Sequence, residues 1–426
     1  MQPPFGRVSS LDMSLFTLAV ERALTLNRLL SIHAAFLLLC VLYDCWTGER
    51  LRYVDESDYV AIANNLATNG QFSLEGQHPT AFRAPALPVL YALPLRLGGT
   101  LLFLKILNSI LLVAASFIVA SFLWRHFGLL TALCFSAMNI LYPVLMYTAS
   151  TLYPQTLATF LLACLVVVLF QENMKKLWRG LMIGVLSALL VLTVPTFLFV
   201  VGIIVVWLVV KEKNYRSAAL VSLLVFASAG VWSYRDYKAF DRVVFVATNS
   251  GLNLLRGNSE KATANSGTNV DISEYIVNVP SGNEADIDAY YRDQSIQYIL
   301  THKWRSSFLY FQKVLNHFNF RSELATTSES TLARDVVMFF SFGLLLLLLL
   351  VRIMRAHSFP LTSFERFVLL VYFVAPFIQA LFFTRIRFRV PFDVLLIAVD
   401  AIFLSSIIGA GRVSQWITGD TLPRPR

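Results

Sequence analysis

Apolar windows of bilayer-spanning length alternate with short polar ones along most of this chain. They lie near 26–43, 100–124, 128–147, 151–171, 177–193, 195–210, 216–234, 334–351, 364–383 and 390–411. A helix needs about 20 mostly apolar residues to cross a bilayer, so the pattern predicts about ten transmembrane helices. The tightly joined pairs around Pro154 and Pro195 have the softest boundaries. Residues 11–24 are amphipathic and fit a helix lying on the membrane surface ahead of the first span. Two windows interrupt the rhythm. One is the polar loop 44–99; the other is 235–333, too polar to sit in lipid. Inside the second, "TNSGLNLLRGNSEKATANSG" at 248–267 is rich in turn formers and reads as loop. From Glu284 to Phe318, apolar and aromatic residues recur at helical spacing, among them Ile287, Tyr291, Tyr298, Phe308, Phe311 and Leu315. They predict outer-face juxtamembrane helices rather than an independent domain. The expected fold class is an all-α polytopic membrane protein.

Composition agrees. The chain is 57% hydrophobic and 14% charged, with a mean hydropathy of +0.64, against about 25% charged in a soluble domain. The net charge of +9 does not call for nucleic acid, because Lys and Arg gather in short loops, where they set topology. "WRH" at 124–126, "KKLWR" at 175–179, "KEKNYR" at 211–216 and "RIMR" at 352–355 are read as cytoplasmic. That order divides the chain into a cytoplasmic N-terminus, 1–25, and a first membrane module, 26–234, with 44–99 as its outer loop. An outer segment, 235–333, the last spans, 334–411, and a cytoplasmic tail, 412–426, complete it. The first apolar run begins near Leu26, late for a cleaved signal, so it reads as an uncleaved span. Cys40, Cys134 and Cys164 lie in apolar runs and Cys45 stands alone at a helix exit, so no disulfide framework is expected.

One loop breaks the charge rule. "TRIRFRVPFD" at 384–393 puts Arg385, Arg387 and Arg389 on the outer face. Cations there snorkel to the interface, pair with acids, or serve an anionic ligand. Carboxylates are present on the same side, in "YVDESDYVAIANNLATNG" at 53–70. Tyr59, Ile62, Ala63 and Leu66 mark a short amphipathic helix there. Asp55 suits its N-cap, Asp58 the acid of a capping box, and Asn69-Gly70 its end. Arg83 follows in "PTAFRAPALPVLYALPL", 79–95, so an acid and a guanidinium share one outer loop. A carboxylate can take a proton from a hydroxyl in a transition state, and an arginine can hold a phosphate through paired hydrogen bonds. Together they fit transfer from a lipid phosphate to an alcohol.

"DESDY", "IANNLATNG" and "FRAPALP" resemble the first outer loop of the GT-C glycosyltransferases, in the branch of the protein O-mannosyltransferases and the lipid A aminoarabinose transferase. "TNSGLNLLRGNSE" and "RIRFRVPFDVLLIAV" are similar to two later segments of that family, in the same order. The resemblance implies a GT-C-like bundle and makes Asp55 the catalytic base, with Glu56 an adjacent acid that contacts the acceptor or orients the loop. It makes Arg83 a donor-phosphate ligand and matches Arg387 and Arg389 to the late-helix motif. Asp58 has no fixed counterpart and stays with helix capping. Arg385, His78 and, beyond its capping role, Asp58 are auxiliary candidates, although a loop histidine is more often simply solvated.

The resulting expectation is an integral membrane glycosyltransferase using a polyprenyl-phosphate sugar donor, acting on a lipid, glycan or protein hydroxyl with inversion. Its expected place is a bacterial inner membrane, the site facing the periplasm or exterior. A flippase or a ligase of lipid-linked saccharides is the alternative. No Rossmann or Walker fingerprint is present, which suits a lipid-linked donor. The histidines and cysteines show no ligand spacing, and no metal or other cofactor is expected, although the acid pair could hold a divalent cation. Lys105 is read as snorkelling, and Asp393 and Asp400 share one face of the last helix.

Overall fold

The computed structural model describes residues 10–321 and 331–410, with side chains from 22 onward and up to 409. The tail at 412–426 and residues 1–9 therefore lie outside the described residues. The described chain is helical, without strands. α1 (Ser10–Thr47) leads into α2 (Val54–Asn69) and α3 (Ala86–Arg96) of the first polar loop. Then follow α4 (Leu101–Phe127), α5 (Leu129–Ile140), α6 (Pro143–Ala149), α7 (Pro154–Leu169), α8 (Lys176–Thr193), α9 (Leu198–Val210) and α10 (Tyr215–Phe240). The second polar segment holds α11 (Ser250–Gly257), α12 (Ser273–Val277), α13 (Glu284–Thr301) and α14 (Lys303–Asn316). α15 (Leu332–Met354), α16 (Ser363–Gln379) and α17 (Ile386–Ala410) close the fold.

Six of these helices are long and apolar enough to cross a membrane, within α1, α4, α8, α10, α15 and α17. α5 and α6 make a seventh if the pair, bent by 62°, counts as one span. The other predicted windows are helical but shorter. α7 has 16 residues and α16 has 17, while α9 with its preceding 3-10 turn covers Pro195–Val210. Two prolines set starts here, since Pro154 and Pro195 each sit in a first turn, where a missing N–H costs nothing.

α17 is the central helix. Two thirds of its apolar window, 67%, is buried inside the protein, against 28% for α1 and 22% for α15. It packs among α5, α7, α15 and α16. One end of the bundle is closed by aromatics from the ends of α4, α7 and α9 and the start of α16, with Phe122, Phe170 and Trp207 meeting Phe364 or Phe367 at 5.2–5.7 Å. The basic loops gather at that end. Arg179 pairs with Glu212, and Arg352 pairs with Glu365 (Nε to Oε1, 2.8 Å) inside the capping box that starts α16. The opposite end carries α2 and the second polar segment.

Lys105 departs from the sequence reading. It is fully buried at the start of α4, donating to the carbonyls of Gly48 (2.7 Å) and Arg50 (2.8 Å). It does not snorkel because the chain leaving α1 offers its carbonyls directly above.

Candidate active site

The start of α2 is built differently from the expected cap. Tyr53 is the N-cap residue, and Glu56 Oε1 accepts from the backbone N–H of Tyr53 (3.0 Å) and of Arg52 (3.1 Å). Glu56 Oε2 accepts from Leu152 N–H (3.0 Å), on the turn before α7. Glu56, and not Asp58, thus closes the capping box, and it is fully enclosed. Burial raises its carboxyl above the ordinary range, an effect the three N–H donors partly offset. The end of α2 is as expected: Gly70 adopts φ 69°, the left-handed conformation that a helix stop of this kind uses.

With capping done by Glu56, Asp55 is free to face the site. Its Oδ1 lies 3.0 Å from Arg83 Nη2 and its Oδ2 lies 3.1 Å from Arg387 Nη2. Asp58, one turn along, takes Arg83 Nη2 at 2.7 Å and Nε at 3.2 Å. Loop 79–83, α2 and the first turn of α17 therefore meet at one carboxylate. Burial alone would raise Asp55, but the guanidiniums of Arg387 and Arg83 outweigh it and hold it below the usual aspartate range. Aromatic rings floor the cluster. Arg387 stacks over Tyr153 (4.2 Å), Arg83 over Phe82 and Tyr59 (4.8 and 5.1 Å). The hydroxyls of Tyr53 and Tyr147 are bonded to each other beside it.

A third guanidinium, not marked by any sequence motif as a site residue, stands near Asp55 and Arg83. Arg256, at the end of α11, makes no hydrogen bond or ion pair among the described residues, and its buried Nε has no partner. Burial lowers its pKa, while the field of Asp55 acts the other way, so it stands near that carboxylate. Arg387 Nε is likewise buried without a partner. Around Asp55 and Asp58, then, three cations face two anions, with donors left over. Nothing in "LLRGN" announces this except an arginine set in an apolar turn.

Other candidates fall elsewhere. Arg389 is not brought to Asp55: it is fully buried, pairs with Asp393 (3.1 Å), donates to the carbonyls of His317 and Asn319, and lies against the Phe342 ring. Tyr142 donates to the same Asp393 (2.8 Å), so this is an internal lock of α17. Arg385 turns to the loop at 267–269, donating to Asn269 Oδ1 (2.9 Å). His78 is exposed. Asp400 is buried on α17 with neither oxygen hydrogen-bonded. Among the described residues no group of three or more His, Cys, Asp or Glu stands close enough to hold a metal ion. Two shallow cavities, about 440 and 450 Å³, adjoin along α14 and share Ala264, Asn265 and Gln312, away from Asp55.

No protein-family model matches the sequence, and no curated protein matches it either. A solved structure of ArnT from Cupriavidus metallidurans bound to undecaprenyl phosphate is similar at 10% identity over 91% of this chain and 81% of that one, with a TM-score of 0.47. A likeness of that size carries no argument about the chemistry, which rests on the residues above.

Proposed function

We propose that this protein is an integral membrane glycosyltransferase that moves a sugar from a polyprenyl-phosphate donor to an acceptor hydroxyl at the end of the bundle bearing Asp55. The observation that carries the reading is Asp55 bridged between Arg83 and Arg387, with Arg256 unpaired beside it. A phosphodiester fits that surplus of guanidinium. As the donor phosphate engages Arg83, Arg387 and Arg256, it takes over bonds that Asp55 otherwise accepts. The carboxylate is released and becomes a stronger base where the acceptor oxygen arrives. Asp55 then removes the hydroxyl proton as oxygen attacks the anomeric carbon, and the arginines stabilise the phosphate that leaves. A single displacement inverts that carbon. Glu56 acts by holding the start of α2, so its role is positioning. The motif resemblance in the first outer loop points the same way.

The location follows the basic loops. With those loops cytoplasmic, the site faces the periplasm or exterior of a bacterial inner membrane. No metal enters the proposed step.

The test is transfer by purified protein from a polyprenyl-phosphate sugar mixture, comparing wild type with Asp55→Asn, Arg83→Gln and Arg387→Gln. Removing a general base should cost about 10²–10⁴-fold in rate, and losing one guanidinium should raise donor KM as well. An Asp55→Asn variant that transfers at the wild-type rate would falsify the assigned role. A folded wild type that transfers nothing but exchanges lipid-linked saccharide across vesicles would favour the flippase.

A further inference from the structure

α14 turns a bare apolar face outward, with Trp304, Phe308, Phe311 and Leu315 exposed, and a single charge inward. That charge is Lys313, fully buried. Its ammonium donates to the carbonyl of Gly257 (3.1 Å), to Asn258 Oδ1 (2.9 Å) and to the carbonyl of Phe382 (2.8 Å). Its own carbonyl accepts from Thr384 Oγ1 (3.2 Å), and Asn258 Nδ2 donates to Leu381 O (2.8 Å). Two distant segments, 257–258 and 381–384, are thereby tied together through the side chains of Lys313 and Asn258. They touch backbone to backbone: a Cβ on Gly257 would lie 1.8 Å from the Phe382 carbonyl oxygen.

Lys313 has no ion-pair partner among the described residues, and burial lowers its pKa to about 7. A buried cation without a counter-ion is a poor way to gain stability. What it holds explains its presence better. Gly257 follows Arg256 directly, and 382–384 lead into Arg387. On the other flank, α13 does the same for the remaining arginine. Glu284 accepts from Thr80 Oγ1 (2.7 Å), Ala81 N–H (2.9 Å) and the Thr248 hydroxyl, fixing the chain that enters Arg83. One turn later Asp288 accepts from Gly251 N–H (2.6 Å) and Ser250 Oγ (3.1 Å), fixing the start of α11.

We infer that α13 and α14 are a clamp that sets the spacing of Arg83, Arg256 and Arg387, with Lys313 the positioning residue that fixes Arg256 relative to Arg387. The inference rests on the phosphate-binding reading of those arginines. A phosphate held by guanidiniums from three separate segments is bound only as well as the segments are held apart at the right distance. The second polar segment is then part of the donor site although most of its side chains never touch the donor.

The experiment uses the full-length protein in detergent and reads two quantities: affinity for farnesyl phosphate, and KM and kcat for the polyprenyl-phosphate sugar. Lys313→Met keeps the volume and removes all three bonds. Donor KM and farnesyl phosphate Kd should each rise on the order of tenfold, with kcat falling up to about 10²-fold from misplacement. Acceptor KM should stay within about twofold. Lys313→Arg, which keeps the cation and its donors, should recover part of the donor affinity. If Lys313→Met does not fold, Asn258→Ala, which removes one lysine bond and the bonds to the Leu254 and Leu381 carbonyls, should shift donor affinity in the same direction by a smaller factor. A merely structural lysine would lower the yield of active protein and leave donor KM and farnesyl phosphate affinity unchanged, and that result overturns the clamp. If wild type binds farnesyl phosphate but transfers no sugar, the transferase reading fails while the clamp is still decided by the binding series. If wild type binds no farnesyl phosphate, both fall.

Discussion

Adjacent carboxylates in "DES" meet opposite fates. Glu56 is enclosed by backbone donors and Asp55 by guanidiniums, so burial raises one and the arginines lower the other. For Asp55 the folded pKa lies below the unfolded one. Its ion pairs therefore stabilise the fold above the ordinary aspartate value, near 3.9, and that contribution fades as pH falls through the folded value. The same pairing predicts a kinetic signature. The acid limb of kcat/KM, which reports the free enzyme, should lie below the ordinary aspartate value. On the proposed mechanism the limb of kcat should lie higher, because the donor phosphate would draw the arginines away. Coincident limbs in the two profiles would count against release of Asp55 by the donor. Glu56→Ala should act through the fold instead: three N–H groups lose their acceptor, at about 1–3 kcal/mol for each one left buried and unpaired. A lowered Tm with an unshifted pH profile is the expected result. Asp55 and Arg83 were legible because they share one loop. The anchoring by Glu56 was not, since its partner Leu152 is 96 residues away, and Arg256 gained meaning only when folding left it without a partner.

At the scale of elements, the apolar windows located the helices, because a bilayer's thickness imposes its length on sequence. They located kinks less well. α5 and α6 fill one predicted window, yet Tyr142-Pro143 breaks it, and the Tyr142 hydroxyl is drawn into Asp393 at 2.8 Å. Pro143 sets that bend, since it pushes Tyr142 out of the helical region to φ −97°, ψ 91°, and a count of apolar windows does not register it. Arg389 shows the same limit: it sits in an outer arginine motif but is claimed by the acid four residues on. The most buried ion pair between elements at the basic end is Arg352 with Glu365, exposed by only 4% and 0%. Glu365→Ala should strand a buried guanidinium and cost about 3–5 kcal/mol, read as a large fall in Tm. Replacing both partners by apolar residues should recover much of the loss.

For the whole molecule, the basic loops and the Asp55 cluster lie at opposite ends of the same helices; with those loops cytoplasmic, the cluster would face outward. Cys45 is the exposed cysteine near the site end, while Cys40 is buried. A membrane-impermeant maleimide added to intact cells, after the outer envelope is made permeable, should label wild type and fail on Cys45→Ser. Labelling that appears only after the inner membrane is broken would invert the topology and put the site in the cytoplasm.

Asp55 and Arg387 are separated by 332 residues of chain. At roughly 5–20 residues per second, a ribosome takes on the order of 20–60 s to cover that distance. Through that interval the acid loop has already emerged while its far partner has yet to be made. A chain cut short before its last helix therefore has the carboxylate and Arg83 but never the assembled cluster.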